Sequence, residues 1–147
     1  TQICDFFCNL YPMLNRDLLL TAAMFHDVGK LSELSTFPAN DYTDDGQLLG
    51  HIMIGAMEVQ KHIDQIAGFP KRTASELIHC ILAHHGELEY GSPKKPALAE
   101  AIALSFADNS DAKLETMREA LSNIPENSLE WQGFNRFLDS NIRRTGK

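Results

Sequence analysis

The run His26-Asp27-Val28-Gly29-Lys30 puts an imidazole, a carboxylate and an ammonium side by side, directly after the apolar stretch Leu18-Leu19-Leu20-Thr21-Ala22-Ala23-Met24-Phe25. Downstream lie His51, the pair His84-His85 and Asp108, each set in an otherwise apolar helical pattern. Imidazoles and carboxylates in apolar surroundings cost free energy unless something satisfies them. A divalent metal satisfies both at once. The set mixes nitrogen and oxygen donors without a thiolate, which favours Mn²⁺, Fe²⁺, Co²⁺ or Zn²⁺ over a structural zinc cluster. His26, Asp27, His51, His84, His85 and Asp108 are therefore the candidate ligands of a metal-dependent hydrolase. Lys30 can neutralise a phosphate oxygen or a developing negative charge, and joins Asp27 as a candidate catalytic residue. His62 and His79 read as ordinary histidines, because their spacing from His51 and His84 aims them elsewhere.

The elements that must position these groups are helical almost throughout. Neighbouring residues on a helix point about 100° apart, so His26 and Asp27 can share one ion only where a helix stops. Asn15 caps a helix expected over 16–28, and Gly29 is expected to end it as a left-handed C-terminal cap. His84-His85 repeats the device, with Gly86 directly behind. Residues 35–46 are rich in Asp, Asn, Pro and Gly and read as a loop. Helices are expected over 47–67, with His51 near the start, over 71–85, and over 98–122, with Asp108 in the middle. Leu48, Ile52, Met53, Ala56, Val59 and Ile63 form the apolar set of the first of these. Leu129, Trp131, Phe134, Phe137 and Leu138 predict a short terminal helix. No alternation of strand period stands out, so the expectation is an all-α, compact helical bundle over 1–125, with a C-terminal extension, 126–147, packed on it.

Bulk properties narrow the function. The chain has 147 residues, is 44% hydrophobic and carries a formal charge of -7. That is enough for a real core and excludes a disordered chain. An acidic domain does not hold duplex DNA by electrostatics alone. No apolar run is long enough to span a bilayer. Cys4, Cys8 and Cys80 read as reduced thiols, in keeping with a cytoplasmic protein. The first residue is Thr1 rather than Met, so the chain is expected to be processed or part of something longer.

The loop over 86–96 leaves His84-His85 directly and must form the rim of the site. Glu89, Tyr90, Ser92, Lys94 and Lys95 offer it a carboxylate, a ring for base stacking, a hydroxyl and two cations. Those are the groups a single-strand binder uses, so these five are the candidate substrate contacts. The loop is expected to govern substrate choice more than catalysis.

These residues carry a family resemblance over 11–113. The chain resembles the HD superfamily of metal-dependent phosphohydrolases, named for the adjacent histidine and aspartate. Within it, the chain is most similar to the HD domain of the YhaM-type 3'-to-5' exoribonucleases. The stretches that carry this likeness are Tyr11-Pro12 with Leu14-Asn15, His26-Asp27-Val28-Gly29-Lys30 with Glu33-Leu34, Tyr42-Thr43, Gly46, and Leu48-Leu49-Gly50-His51-Ile52. The most restrictive is His84-His85-Gly86-Glu87-Leu88-Glu89-Tyr90-Gly91-Ser92-Pro93. The resemblance implies one or two divalent ions, Mn²⁺ first, with Fe²⁺, Co²⁺, Zn²⁺, Ni²⁺ or Mg²⁺ as alternatives. By it, His26, Asp27 and Asp108 hold the first, and Asp27 bridges to a second held by His51, His84 and His85. Lys30 would face the phosphate.

The resemblance also implies an oligonucleotide-binding domain ahead of this one in a longer parent chain. A further ligand histidine is expected upstream of His26, yet none precedes it, and truncation is the simplest cause. Ser105 stands where relatives often have histidine. The leading expectation is a phosphodiesterase acting on single-stranded RNA from its 3' end, as a monomer or homo-oligomer. The alternatives are a small-nucleotide phosphohydrolase and a metal-binding HD domain without catalysis.

Overall fold

A computed structural model describes residues 1–146. Among the described residues the chain is all-α apart from one two-stranded hairpin of two residues per strand. The helices are α1 (Gln2–Leu10), α2 (Arg16–Phe25), α3 (Lys30–Glu33), α4 (Asp44–Ile63), α5 (Lys71–Leu82) and α6 (Ala99–Ala120). A 3-10 turn, Leu88–Tyr90, lies between α5 and α6. The strands β1 (Phe134–Asn135) and β2 (Ser140–Asn141) pair antiparallel. The chain divides into two units, at 107/108 inside α6. No helix is long and apolar enough to cross a membrane among the described residues.

The first unit is held by one apolar core. Cys4 of α1, Leu18, Leu19 and Ala22 of α2, Ala56, Val59 and Ile63 of α4, Leu77, Cys80 and Ile81 of α5, and Ala101, Leu104 and Ala107 of α6 form it. Leu19, Ile81 and Leu104 are fully buried, and burying each contributes roughly 1.5–3 kcal/mol. Burial also pushes the Cys80 thiol up to about 12, so it sits in the core as a neutral hydrophobe. Cys4 and Cys80 are buried and Cys8 is half-buried.

Side chains cap two of the helix starts. The Asn15 side chain accepts from the Leu18 amide and opens α2. The Asn15 amide in turn donates to Oε1 of the buried Glu100 on α6, at 2.6 Å. The Thr43 hydroxyl accepts from the Gly46 amide and opens α4. Helix ends differ from expectation. α2 stops at Phe25, α4 starts at Asp44 and ends at Ile63, and α5 stops at Leu82. His26-Asp27 and His84-His85 therefore lie just past helix ends, where the backbone turns and adjacent side chains can converge.

Two glycines act otherwise than expected. Gly29 is not a left-handed cap: its φ is -62° and ψ -22°, ordinary right-handed helical values. It is needed for space, since a Cβ there would lie 2.0 Å from the His51 carbonyl oxygen and 2.6 Å from the Gly55 amide nitrogen. Gly50 has φ 71° and ψ 158°, which breaks α4 in two. The break explains why Ile52, Ala56, Val59 and Ile63 are buried while Leu48, expected on the same stripe, is 80% exposed.

In the second unit the expected terminal helix is a hairpin instead. Gln132 donates its amide to the Ile142 carbonyl, and the Ile142 amide donates to Gly133, whose φ is 89°. The Arg144 guanidinium donates to the carbonyls of Leu121 and Ile124, and Arg143 lies over the Trp131 ring.

Candidate metal centre

The site is built where the turn after α2, the second half of α4 and the turn after α5 meet. Each of four imidazoles is anchored through Nδ1. His26 Nδ1 lies 3.0 Å from the Ala23 carbonyl, His84 Nδ1 2.7 Å from the Ile81 carbonyl, and His85 Nδ1 2.8 Å from the Tyr90 carbonyl. His51 Nδ1 lies 3.2 Å from Glu33 Oε1. A carbonyl oxygen has no proton to give, so Nδ1 carries the proton and donates. In the neutral ring that leaves the Nε2 lone pair free to accept or to bind a metal.

Three of those Nε2 atoms face one carboxylate. His26 Nε2 is 3.4 Å from Asp27 Oδ2, and His51 and His84 Nε2 are 3.6 and 3.8 Å from Asp27 Oδ1. Asp27 Oδ1, His51 Nε2 and His84 Nε2 are buried side-chain atoms without a hydrogen-bond partner. Leaving a buried polar atom unsatisfied costs about 1–3 kcal/mol, and this arrangement has three beside each other. His51 and His84 Nε2 stand beyond hydrogen-bond distance of Asp27 Oδ1, spaced as ligands around an ion are. Two groups of donors can each hold an ion: His51 with His84 and His85, and His26 with Asp27 and Asp108. Asp108 is the next residue after Ala107 on the uninterrupted helix α6. The donor set therefore fits one or two divalent cations.

Protonation states suit that use. Burial, with the neighbouring His85 and His26 adding to it, pushes His84 down to about 4 despite its bond to the Ile81 carbonyl. It is therefore neutral and ligand-competent at neutral pH. For Asp27 burial works upward, but the bond from Lys30 and the charges of His26, Lys30 and His84 outweigh it, and the carboxyl lies below its ordinary value. Lys30 Nζ donates to Asp27 Oδ2 at 2.7 Å, so the ammonium expected to face a phosphate rests on the aspartate.

The rim is more closely tied to the metal groups than its sequence suggests. Tyr90 is 64% exposed, and Glu89 and Lys94 are exposed too. Lys95 is paired with Glu87 at 2.5 Å. Ser92, expected to touch substrate, is instead 3% exposed, and its hydroxyl bonds the carbonyls of Leu82 and Lys94. It fixes the loop from inside. Because the Tyr90 carbonyl orients His85, the loop also supports a candidate ligand. His62 is exposed with Nδ1 on the Glu58 carbonyl, and His79 Nε2 accepts from the Ala97 amide. Both lie outside the donor groups.

The family model described as "HD domain" matches residues 5–113. The chain belongs to the HD domain family. The chain is 44% identical over 116 residues to a protein of Geobacillus sp. (strain WCH70) named "3'-5' exoribonuclease YhaM", a match covering 79% of this chain and 36% of that protein. It is 43% identical over 116 residues to the protein of the same name in Bacillus subtilis (strain 168), covering 79% and 37%. The chain thus spans little more than a third of the length of these relatives. No solved structure matches. One residue of the site escaped the sequence reading as a functional group: Glu33, a buried carboxylate on His51. Its sequence signal is the pair Glu33-Leu34, one of the stretches that carry the family likeness.

Proposed function

We propose that this chain is the hydrolytic domain of a metal-dependent 3'-to-5' exoribonuclease acting on single-stranded RNA. The observation that carries the reading is the set of partnerless buried atoms, Asp27 Oδ1, His51 Nε2 and His84 Nε2, directed at one space. The names of the relatives supply the substrate class.

In this reading His26, Asp27 and Asp108 hold one ion, and Asp27 with His51, His84 and His85 holds a second, with Mn²⁺ as the expected metal. Bound divalent ions supply a Lewis acid and an acidified water for phosphodiester hydrolysis. The protein's own groups do the rest. Backbone carbonyls hold three imidazoles in one tautomer, so their ligand nitrogens need little reorganisation. Lys30 keeps Asp27 ionised, and its flexible stem can carry the ammonium from Oδ2 to a substrate phosphate. Tyr90 offers a base a stacking face at the rim, Lys94 and Lys95 offer cations to the backbone, and Glu89 bounds the rim. The reduced thiols Cys4, Cys8 and Cys80 fit a cytoplasmic setting.

The test is incubation with Mn²⁺ and a 5'-labelled single-stranded RNA, with metal content measured on the same sample. A ladder shortening from the 3' end supports the reading. Turnover of mononucleotides alone would replace it with a small-nucleotide phosphohydrolase. Bound metal without turnover of either would leave a metal-binding domain without catalysis.

A further inference from the structure

The four anchored histidines are not anchored alike. His26 and His84 donate to the carbonyl three residues earlier, the one their own helical turn provides. His85 uses a carbonyl of the following loop. His51 follows directly on Gly50, which breaks α4, and its Nδ1 bonds a side chain instead. The break also puts the His51 amide at the start of a new half-helix, where amides take acceptors from outside the helix. Both donors end on one atom: Glu33 Oε1 accepts from the His51 amide at 3.0 Å and lies 3.2 Å from His51 Nδ1.

Glu33 is itself held firmly. It is the last residue of α3 and is 8% exposed. Its carbonyl accepts from both the amide and the hydroxyl of Thr43, at 2.9 and 3.2 Å. Gly46 packs against the same carbonyl so closely that a Cβ there would lie 2.2 Å from its oxygen. A buried carboxylate that bonds both the backbone and the ring of one imidazole sets that ring's position and its tautomer together.

We infer that Glu33 is the positioning residue of His51: it caps the half-helix that begins after Gly50 and fixes the His51 proton on Nδ1, so that Nε2 is presented to the metal. This rests on the metal-centre reading given above. A carboxylate partner also raises the basicity of a ligating imidazole, and losing such a partner typically costs about 10–100-fold in metal affinity.

The test pairs two variants with two measurements. Imidazole ¹⁵N chemical shifts of the metal-free protein report the His51 tautomer, and calorimetric titration with Mn²⁺ reports affinity. Glu33→Ala is expected to mix the His51 tautomers and weaken Mn²⁺ binding by roughly tenfold or more. Glu33→Gln retains an acceptor of the same shape without the charge. It is expected to keep the tautomer and the metal-free melting temperature, and to bind Mn²⁺ several-fold more weakly. Wild-type tautomer and affinity in Glu33→Ala would overturn the inference. Should Glu33→Ala not fold, Glu33→Gln decides: weaker binding at an unchanged melting temperature supports the role, and wild-type affinity overturns it. If the unaltered chain binds no Mn²⁺, the metal reading fails by itself, and the ¹⁵N comparison still decides whether Glu33 sets the His51 ring.

Discussion

Gly29→Ala tests whether the close approach of the His-Asp turn to α4 is what places His51. The added Cβ would sit 2.0 Å from the His51 carbonyl oxygen, 2.6 Å from the Gly55 amide nitrogen and 2.8 Å from the His51 carbonyl carbon, where Cβ atoms keep at least 3.0 Å. The obstructing atoms are backbone on α4, so no rotamer change relieves them. The turn and α4 must separate by about 1 Å, the difference between 2.0 and 3.0 Å. Ligand distances at a metal site tolerate only about 0.2 Å. His51 should therefore be lost as an effective ligand, even though Gly29 has an ordinary φ that alanine adopts freely. Overpacking of this kind costs typically 1–3 kcal/mol, and the backbone contact puts it near the upper end, about 3 kcal/mol.

The assay is Mn²⁺ titration beside thermal melting, with Gly68→Ala as control. Gly68 has φ 77° and open space around its missing Cβ, so alanine there costs only backbone strain, roughly 1 kcal/mol. At about 2–4 °C per kcal/mol, Gly29→Ala should melt roughly 6–12 °C lower and Gly68→Ala roughly 2–4 °C lower. Only Gly29→Ala should lose Mn²⁺ affinity, by about tenfold or more. Wild-type affinity in Gly29→Ala would refute the argument whatever its melting temperature. Equal losses of affinity in both variants would show that general loosening, not the local contact, controls the site.

Removing metal with a chelator should lower the melting temperature, and re-adding Mn²⁺ at a hundredfold excess over its dissociation constant should restore about 2.7 kcal/mol; an unchanged melt would count against a bound ion. Asp27→Ala should reduce Mn²⁺-dependent phosphodiesterase activity roughly a hundredfold or more, while His62→Ala, with its ring in solvent, should stay within about 0.5 kcal/mol of wild-type stability and keep full activity. For the metal-free protein, the His84 shift from 6.5 down to about 4 fixes the sign of a pH effect. The unfolded chain takes up a proton on His84 that the folded chain refuses, so the stability is present above 6.5 and lost as pH falls through about 4. The upper bound is about 3 kcal/mol, and a chelated protein whose melting temperature is flat over that window would contradict it.

The candidate ligands were legible in the sequence because their cost is local: an imidazole or carboxylate in an apolar pattern has to be explained wherever it sits. The helices carrying them were legible from period and caps, as Asn15 at the start of α2 illustrates. The C-terminal hairpin was not. Trp131, Phe134, Phe137 and Leu138 repeat at helical spacing, yet Gly133 at φ 89° and Asp139 at φ 49° turn the backbone the other way.

Glycine is used both for positive φ and for close approach, and the two uses look identical in a sequence. Gly29 resembles a left-handed cap but serves contact with α4, whereas Gly50, in a run that reads as continuous helix, supplies the positive φ. Exchanging those two roles in the reading hides the break before His51. The break puts His51 at the start of a half-helix, where its amide and its Nδ1 both meet Glu33. Candidate metal ligands can thus be named from residue types alone, whereas the positioning role of Glu33 rests on where the backbone bends.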